Sequence, residues 1–451
     1  MQITRVLSEF VASASFDQLP DDVARTGKLC CLDWMAVTLA GSRQPLVEIL
    51  VDLCRSLGGN EQATLVGRPE RFSVLHAALV NGSASHALDY DDVHFDVIGH
   101  PTISLLPVAM ALAEQNKTSG REFLLAFALG FETECRVGRA VNPDHYDKGW
   151  HATATLGTLG AAVTAARLLK LPAPAIVHAL GIAGTQAGGV RQVFGSMTKP
   201  FHAGKAAMNG MLAALLAQRG FTCSTEILEG PRGFSAVLST RQETQKITEE
   251  LGRRWALPDV LLKRHASCFE THPAIDAVLA LRQQHAMDPE SVASLQLDLH
   301  PFCTEVANIR RPHSGLEAKF CIPHCAALAL ATGETGEGQF TDAVAFRDDL
   351  SRLREKITIN TVPHLGIHKA RIAVQMTDGA VLHAEADTLH IGRDISMKER
   401  TAVQKFQELA PPILGPRRTQ QLREGILQLE ELNDVSGLIS LCSSPRENTS
   451  A

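Results

Sequence analysis

Between Ser85 and Thr102 the chain reads Ser-His-Ala-Leu-Asp-Tyr-Asp-Asp-Val-His-Phe-Asp-Val-Ile-Gly-His-Pro-Thr. That stretch carries four carboxylates (Asp89, Asp91, Asp92, Asp96) and three imidazoles (His86, His94, His100) between apolar, Ala-rich segments. A buried charge must be paired or neutralised, so ionisable groups gathered at the junction of apolar helices point to proton transfer or ligand binding. The bland alternative is a solvated acidic loop. The His100-Pro101 step favours chemistry. Proline suits the first turn of a helix, which puts His100 at a helix N-terminus, where free backbone amides attract anions.

Four further polar islands interrupt apolar surroundings. Gly149-Trp150-His151 stands at a helix entrance, where a capping or packed histidine is the plain reading. Gly195 to Lys205 places Lys199, His202 and Lys205 in a loop bounded by glycine and proline before a helix expected at Ala203–Arg219. It lacks the GxxxxGK[ST] pattern of a phosphate loop, so two lysines that hold carboxylates, or an exposed basic turn, are the readings it leaves. Lys263-Arg264-His265-Ala-Ser-Cys268-Phe-Glu-Thr-His272-Pro273 opens another helix, and Gly315 to His324 a further one. Together the islands suggest a cleft rich in His, Lys and Asp. Lysines hold a substrate's carboxylates and lower the cost of negative charge at the adjacent carbon. A His or Asp takes the proton, and a second His protonates a leaving hydroxyl or the opposite face of the carbon.

The elements that must position these groups are mostly helices. Periodicity predicts helices at Ile3–Ser13, Asp21–Ala40, Phe72–Leu88, Pro101–Gln115, Gly120–Val137, 152–169 and Pro174–Ala187. Small residues on these surfaces predict close helix packing. Strict alternation at Ser294–His300 and Lys356–Val362, and a hairpin around Asp378-Gly379, predict strands. The fold class expected is mainly α with α+β. Residues 1–256 form a large all-helical bundle, 257–394 a smaller α+β domain with an antiparallel sheet, and 395–441 a helical return that packs on the bundle. Residues 442–451 are expected to fray.

With 451 residues the chain can bury large cores, and 45% hydrophobic with 20% charged residues is ordinary for a globular protein. A net charge of −6 without a basic block gives no reason to expect nucleic acid or an anionic membrane as partner. No apolar run reaches the roughly 18–20 residues of a membrane span. The ten cysteines are scattered without a CxxC pair. With no secretory signal at the N-terminus, they read as reduced thiols and the protein as cytoplasmic.

In this order along the chain, His86-Ala-Leu-Asp-Tyr-Asp-Asp with His100-Pro, Gly149-Trp-His-Ala-Thr, Thr198-Lys-Pro-Phe-His-Ala-Gly, Lys263 with Ser-Cys and Thr-His-Pro-Ala-Ile-Asp276, and Glu317-Ala-Lys-Phe-Cys resemble the MmgE/PrpD family. The resemblance implies a helical domain, an α+β lid domain, a homodimer and catalysis with no metal and no organic cofactor. It implies acid/base roles for His100 and His151, support or proton relay for Asp89, and carboxylate binding for Lys199 and Lys263. His202, His272 and His324 are further candidates for substrate contact. Val93, Cys268 and His324 depart from the family's decarboxylase-like members, which carry Thr and His at the first two positions; many members carry Tyr at the third. Cys268 is therefore either an acid/base with a lowered pKa or a buried spectator.

The reading placed first is a lyase that removes a proton next to a carboxylate and eliminates water from a hydroxy di- or tricarboxylic acid, 2-methylcitrate dehydratase-like. An epimerase of the iminodisuccinate type comes second, and a decarboxylase is ranked below both. A metal-dependent hydrolase with Asp89, Asp91, His94 and His100 as ligands, or a non-catalytic carboxylate binder, comes last.

Overall fold

The computed structural model describes residues 2–285 and 287–444. Ten helices run through the first half: α1 Ile3–Ser13, α2 Asp21–Gly41, α3 Pro45–Leu57, α4 Val74–His86, α5 Thr102–Asn116, α6 Gly120–Val141, α7 Asp144–Asp147, α8 Ala152–Leu168, α9 Ala173–Gln186 and α10 Thr198–Gln218. After α11 (Phe234–Leu238) come α12 His272–Gln284, α13 Pro301–Val306, α14 Gly315–Ala318, α15 Ile322–Thr332, α16 Asp342–Ala345 and α17 Asp348–Glu355. The chain closes with α18 Thr388–Arg393, α19 Ile395–Leu409, α20 Pro411–Leu427 and α21 Ser436–Ser440. The strands are β1 Ala63–Thr64, β2 Arg71–Phe72, β3 Val292–Leu299, β4 Ile357–Thr361, β5 Lys369–Met376 and β6 Val381–Asp387. The chain divides into two compact units. One holds the residues up to Ala87, Asp91–Leu262 and those from Glu399 on; the other holds Leu88–Tyr90 and Lys263–Lys398.

The first unit is helical apart from the short β1–β2 pair. Helix α10 packs along α8, α4, α9 and α5, and α6 lies against α8. Small residues make this closeness possible. A Cβ on Gly82 of α4 would sit 2.7 Å from the Cα of Gly204 in α10, and one on Gly204 would reach 2.0 Å from the Leu79 carbonyl oxygen. On the other face of α10, a Cβ on Gly210 would come 2.5 Å from the Ala161 Cβ of α8. Forcing a methyl into such a contact parts the helices, at a cost of about 1–3 kcal/mol or more. Helices α5 and α8 are apolar on nearly every side because both are surrounded, and Thr102–Ala113 is buried throughout.

Two expectations shift by a turn. The helix expected from Phe72 begins at Val74, because Ser73 caps it by accepting from the His76 amide and Phe72 pairs with Ala63 instead. The segment around Lys199 and His202 is not a loop before a helix. Helix α10 starts at Thr198, and Pro200 falls in its first turn, where a missing N–H costs nothing.

The second unit is α+β, with strand order β4-β3-β5-β6. Leu297 lies between Ile359 and Ile372, and Leu295, Leu297 and Leu299 all turn inward. Helix α12 packs on β5 and β6, and α15 on β4 and α12. The sheet is mixed rather than wholly antiparallel, since β3 and β4 run parallel. Alternation reveals strands but not their direction. The five helices α13–α17 between β3 and β4 supply the long crossover that a parallel pair requires. The β5–β6 turn holds Asp378-Gly379 as expected, with Gly379 at φ 92° and Asp378 Oδ1 accepting from the Ala380 amide.

Of the tail expected to fray, Cys442 is buried, and its carbonyl accepts from the Gly67 amide. Pro445 to Ala451 lie outside the described residues. Among the described residues no helix is long and apolar enough to cross a membrane.

Candidate active site

Four helix ends in the first unit bring the histidines together. His86 is the last residue of α4. His100 precedes α5, and its amide donates to Thr153 Oγ1 of α8 at 3.1 Å. His151 is the residue before α8, with its amide donating to the Gly189 carbonyl. Lys199 and His202, three apart on the first turn of α10, share a face. Three of these four are helix N-termini, so the site carries the positive ends of α5, α8 and α10 as well as the Lys199 ammonium.

At its centre is Asp91. Its Oδ1 lies 2.8 Å from His86 Nδ1 and its Oδ2 2.9 Å from His100 Nδ1. His100 Nδ1 also lies 2.8 Å from the Asp92 carbonyl. Nδ1 therefore carries the proton, and Nε2 is the nitrogen with a lone pair for a proton from outside. Burial alone would raise the Asp91 carboxyl. The opposing charges and hydrogen bonds of His86 and His100 outweigh it and hold Asp91 well below the usual carboxylate range. Burial pushes His86 down to about 4 despite Asp91. The pair is a carboxylate beside a neutral ring, and His86 Nε2 has no hydrogen-bond partner among the described residues.

The rings continue inward. His86 and His100 have centroids 4.5 Å apart, and His86 and His151 are stacked at 6.2 Å. His151 Nδ1 meets His202 Nδ1 at 3.0 Å, and the Phe194 edge packs on His151. Burial first, then the neighbouring charges of His86, Lys199, His202 and His100, hold His151 well below an ordinary imidazole. Exposure separates the rings: His100 is 9% exposed, His151 2% and His86 1%. Behind them Asp92 accepts from the Thr102 hydroxyl and amide, and burial raises its carboxyl to about 7.

The turn that delivers His100 is held from below. Asn142 Nδ2 donates to the Asp96 and Val97 carbonyls, Arg139 pairs with Asp96, and His94 and Gly99 bond reciprocally. Ile98 adopts φ 52°, costly for a β-branched residue and typical of strain kept near a working site. His94 does not join His100. It faces Cys135 at 3.4 Å and the Ala256 carbonyl at 3.1 Å, so Asp89, Asp91, His94 and His100 do not form one ligand set. His86, Asp91 and His100 present donor atoms within 4.8 Å of one another, and so do His94, Asp96 and Cys135. In the first group those donors already face each other at hydrogen-bond distance.

The remaining candidates belong to the second unit. Lys263 Nζ donates to Asp89 Oδ1 at 2.9 Å and to its carbonyl at 2.7 Å, and Asp89 takes φ 51°, which Asp tolerates. Asp89 and Lys263 are thus partners of each other. Lys319 holds the Leu88 carbonyl and Glu337. Cys268 Sγ donates to Glu270 Oε2 at 2.9 Å. The His272 ring packs against His265 and Phe269, with Nε2 buried and without a partner among the described residues. Burial, then the charges of His265, Lys263 and Arg264, hold it well below the usual range. His324 is fully buried on α15 with neither ring nitrogen bonded among the described residues, and burial followed by the Arg354 charge takes it to about 4. Asp91 and His86 stood in the quoted stretch, but sequence reasoning gave neither an acid/base role. The signal was present in the quoted stretch, but three aspartates within four residues look alike until the turn assigns one of them to the histidines.

Residues 5–246 match the MmgE/PrpD N-terminal domain and residues 265–431 the MmgE/PrpD C-terminal domain. The chain is similar to the cis-aconitate decarboxylase of Aspergillus terreus, 26% identical over 98% of this chain and 96% of that one. It is 28% identical to the human cis-aconitate decarboxylase over 98% and 95% of the two chains. The mouse enzyme of the same name is 26% identical over 98% and 94%.

Proposed function

The chain belongs to the MmgE/PrpD family, and on that premise we propose a lyase that acts on a hydroxy di- or tricarboxylic acid with its own side chains as acid and base. The observation that carries this is Asp91 set between His86 and His100. A base is useful only if the cation it becomes is welcome. His100 is the accessible ring beside a buried carboxylate, so its Nε2 takes the proton next to a substrate carboxylate and Asp91 stabilises the imidazolium. The helix N-termini and Lys199 favour the substrate's carboxylates and the charge that develops at the carbon. His151, which is bonded to no carboxylate among the described residues, serves as the neutral donor to the departing hydroxyl.

Decarboxylation is a second reading, favoured by the names of the relatives. There the His100 imidazolium would return a proton to the carbon that loses CO₂. Val93, Cys268 and His324 remain departures from the decarboxylase-like pattern. Epimerisation fits less well, because His151, the candidate for a second base, lacks the carboxylate support among the described residues that Asp91 gives His100. A homodimer is carried over from the family as a further proposal, which light scattering after size exclusion tests.

Proton NMR in D₂O separates these readings, with 2-methylcitrate, citrate, cis-aconitate and aminosuccinates as substrates. Loss of a C–H signal with an olefinic product from a hydroxy acid supports the hydro-lyase, read as a vinyl proton from citrate and, where the proton leaves the methyl-bearing carbon of 2-methylcitrate, as its methyl doublet collapsing to a singlet. Deuterium uptake with CO₂ release from cis-aconitate turns the assignment to a decarboxylase, and exchange with loss of optical rotation to an epimerase.

A further inference from the structure

We propose that His202 reloads His151 with protons, acting through His151 rather than on the substrate. This rests on the hydro-lyase reading above. Two Nδ1 atoms 3.0 Å apart require one proton between them, since two lone pairs or two N–H groups would repel. One ring donates and the other accepts, so one Nε2 carries hydrogen and the other does not. Among the described residues the only side-chain hydrogen-bond partner of either ring is the other ring, and His202 is the more exposed of the two, at 7% against 2%. The two rings are held in register by one backbone segment. Gly189 accepts from the His151 amide, and a Cβ on Gly189 would stand 3.0 Å from His202 Cε1 and 3.1 Å from its Nδ1.

Both rings stay neutral. The neighbouring charges that act on His151 are those of His86, Lys199, His202 and His100, and on His202 that of Lys205, all basic groups. With no carboxylate bonded to either ring among the described residues, protons pass through the pair by tautomer exchange. The His151 Nε2–H bond breaks as its proton joins the leaving hydroxyl to make water. The His202 Nδ1–H proton moves to His151 Nδ1, and His202 Nε2 takes a proton from solvent. Each ring starts and ends uncharged. After product leaves, the proton that His100 took from carbon enters at His151 Nε2, and the pair runs backwards to release one from His202 Nε2. His202 is then the port through which the site exchanges protons with water.

The variants are His202→Phe, which keeps a ring but no nitrogen, and Gly189→Ala, which pushes the ring aside. In the full-length His202→Phe enzyme, steady-state turnover should fall about 10²-fold, while a single turnover keeps its first-cycle amplitude and KM is unchanged. Free imidazole should restore part of the turnover. A raised KM with unchanged kcat would make His202 a substrate contact and overturn the proposal, as would equal loss in both regimes without rescue. Nitrogen NMR of histidine-labelled enzyme reads the tautomers without any reaction. One Nδ1–H ring and one Nε2–H ring support the pair, and two alike rings sink it even if dehydration is confirmed. Failure of dehydration with opposite tautomers present would instead remove only the reaction assigned above.

Discussion

Each unit holds a buried histidine–aspartate pair, and the two are finished differently. In the second unit His265 uses both nitrogens, Nε2 on Asp276 Oδ1 at 2.9 Å and Nδ1 on Thr335 Oγ1 at 2.6 Å. Asp276 uses both oxygens, with Oδ2 taking Arg264 and Thr388. Burial would raise that carboxyl, but His265, Arg264 and Thr388 together keep it low. In the first unit Asp91 is divided between two rings, His86 keeps a buried nitrogen without a partner among the described residues, and His100 is the most exposed of the three rings around it at 9%. A fully satisfied network locks structure, whereas one left with a nitrogen to spare can accept a proton. The same residue types thus serve two ends, and the count of bonded atoms separates them.

Four experiments test that contrast, in order of expected size. His100→Ala should lower kcat by about 10³-fold, within the range for loss of a general base, and leave the thermal midpoint close to wild type. A protein that instead unfolds would make His100 structural. Asp91→Asn keeps the shape but withdraws the charge. It should cost about 10²-fold in kcat, with the acid limb of the pH–rate profile displaced. An unchanged profile would free His100 from Asp91.

Asp276→Asn should do the reverse. Breaking a buried pair costs about 3–5 kcal/mol in urea unfolding, while turnover per folded molecule holds. A large loss of turnover would erase the distinction between the two networks. The smallest effect is the acid response. Burial holds His86, His145, His324 and His368 at about 4 in the fold, against about 6.5 when unfolded. Below about 6.5 the unfolded chain binds protons that the fold refuses, so stability is present above that pH and drains away towards about 4. Asp92, raised to about 7, acts in the opposite sense and weakens the fold as pH rises from 3.8 to 7. Circular dichroism against urea at pH 7 and pH 5 should show the lower midpoint at pH 5. Equal midpoints would mean that those rings are already protonated in the fold.

The strands of the second unit, its hairpin turn and most helices could be read from periodicity and turn residues, because those patterns are local, whereas the two-residue strands β1 and β2 are too short to show one. The parallel β3–β4 pair could not, since direction depends on a crossover of more than fifty residues. The polar stretch was visible as a stretch. What it hid was which aspartate serves which partner. Asp89 and Asp91 are two residues apart, yet a left-handed backbone at Asp89 belongs with Lys263 while Asp91 goes to the histidines. Lys199 and His202 were chosen for their types, but only the early start of α10 reveals that their spacing puts them on one face.

The touching backbones of Gly82 and Gly204 bear on how this protein could be redesigned. They join the helix that ends in His86 to the one that begins with Lys199 and His202. The gap between those side chains is therefore gauged by main chain, which cannot be compressed, rather than by side chains that repack. Substitutions in the surrounding aliphatic core can accumulate without retuning the site. A change of substrate is better sought in the turn that carries His100 than in α4 or α10, where an added methyl at the glycine contact would part the two helices.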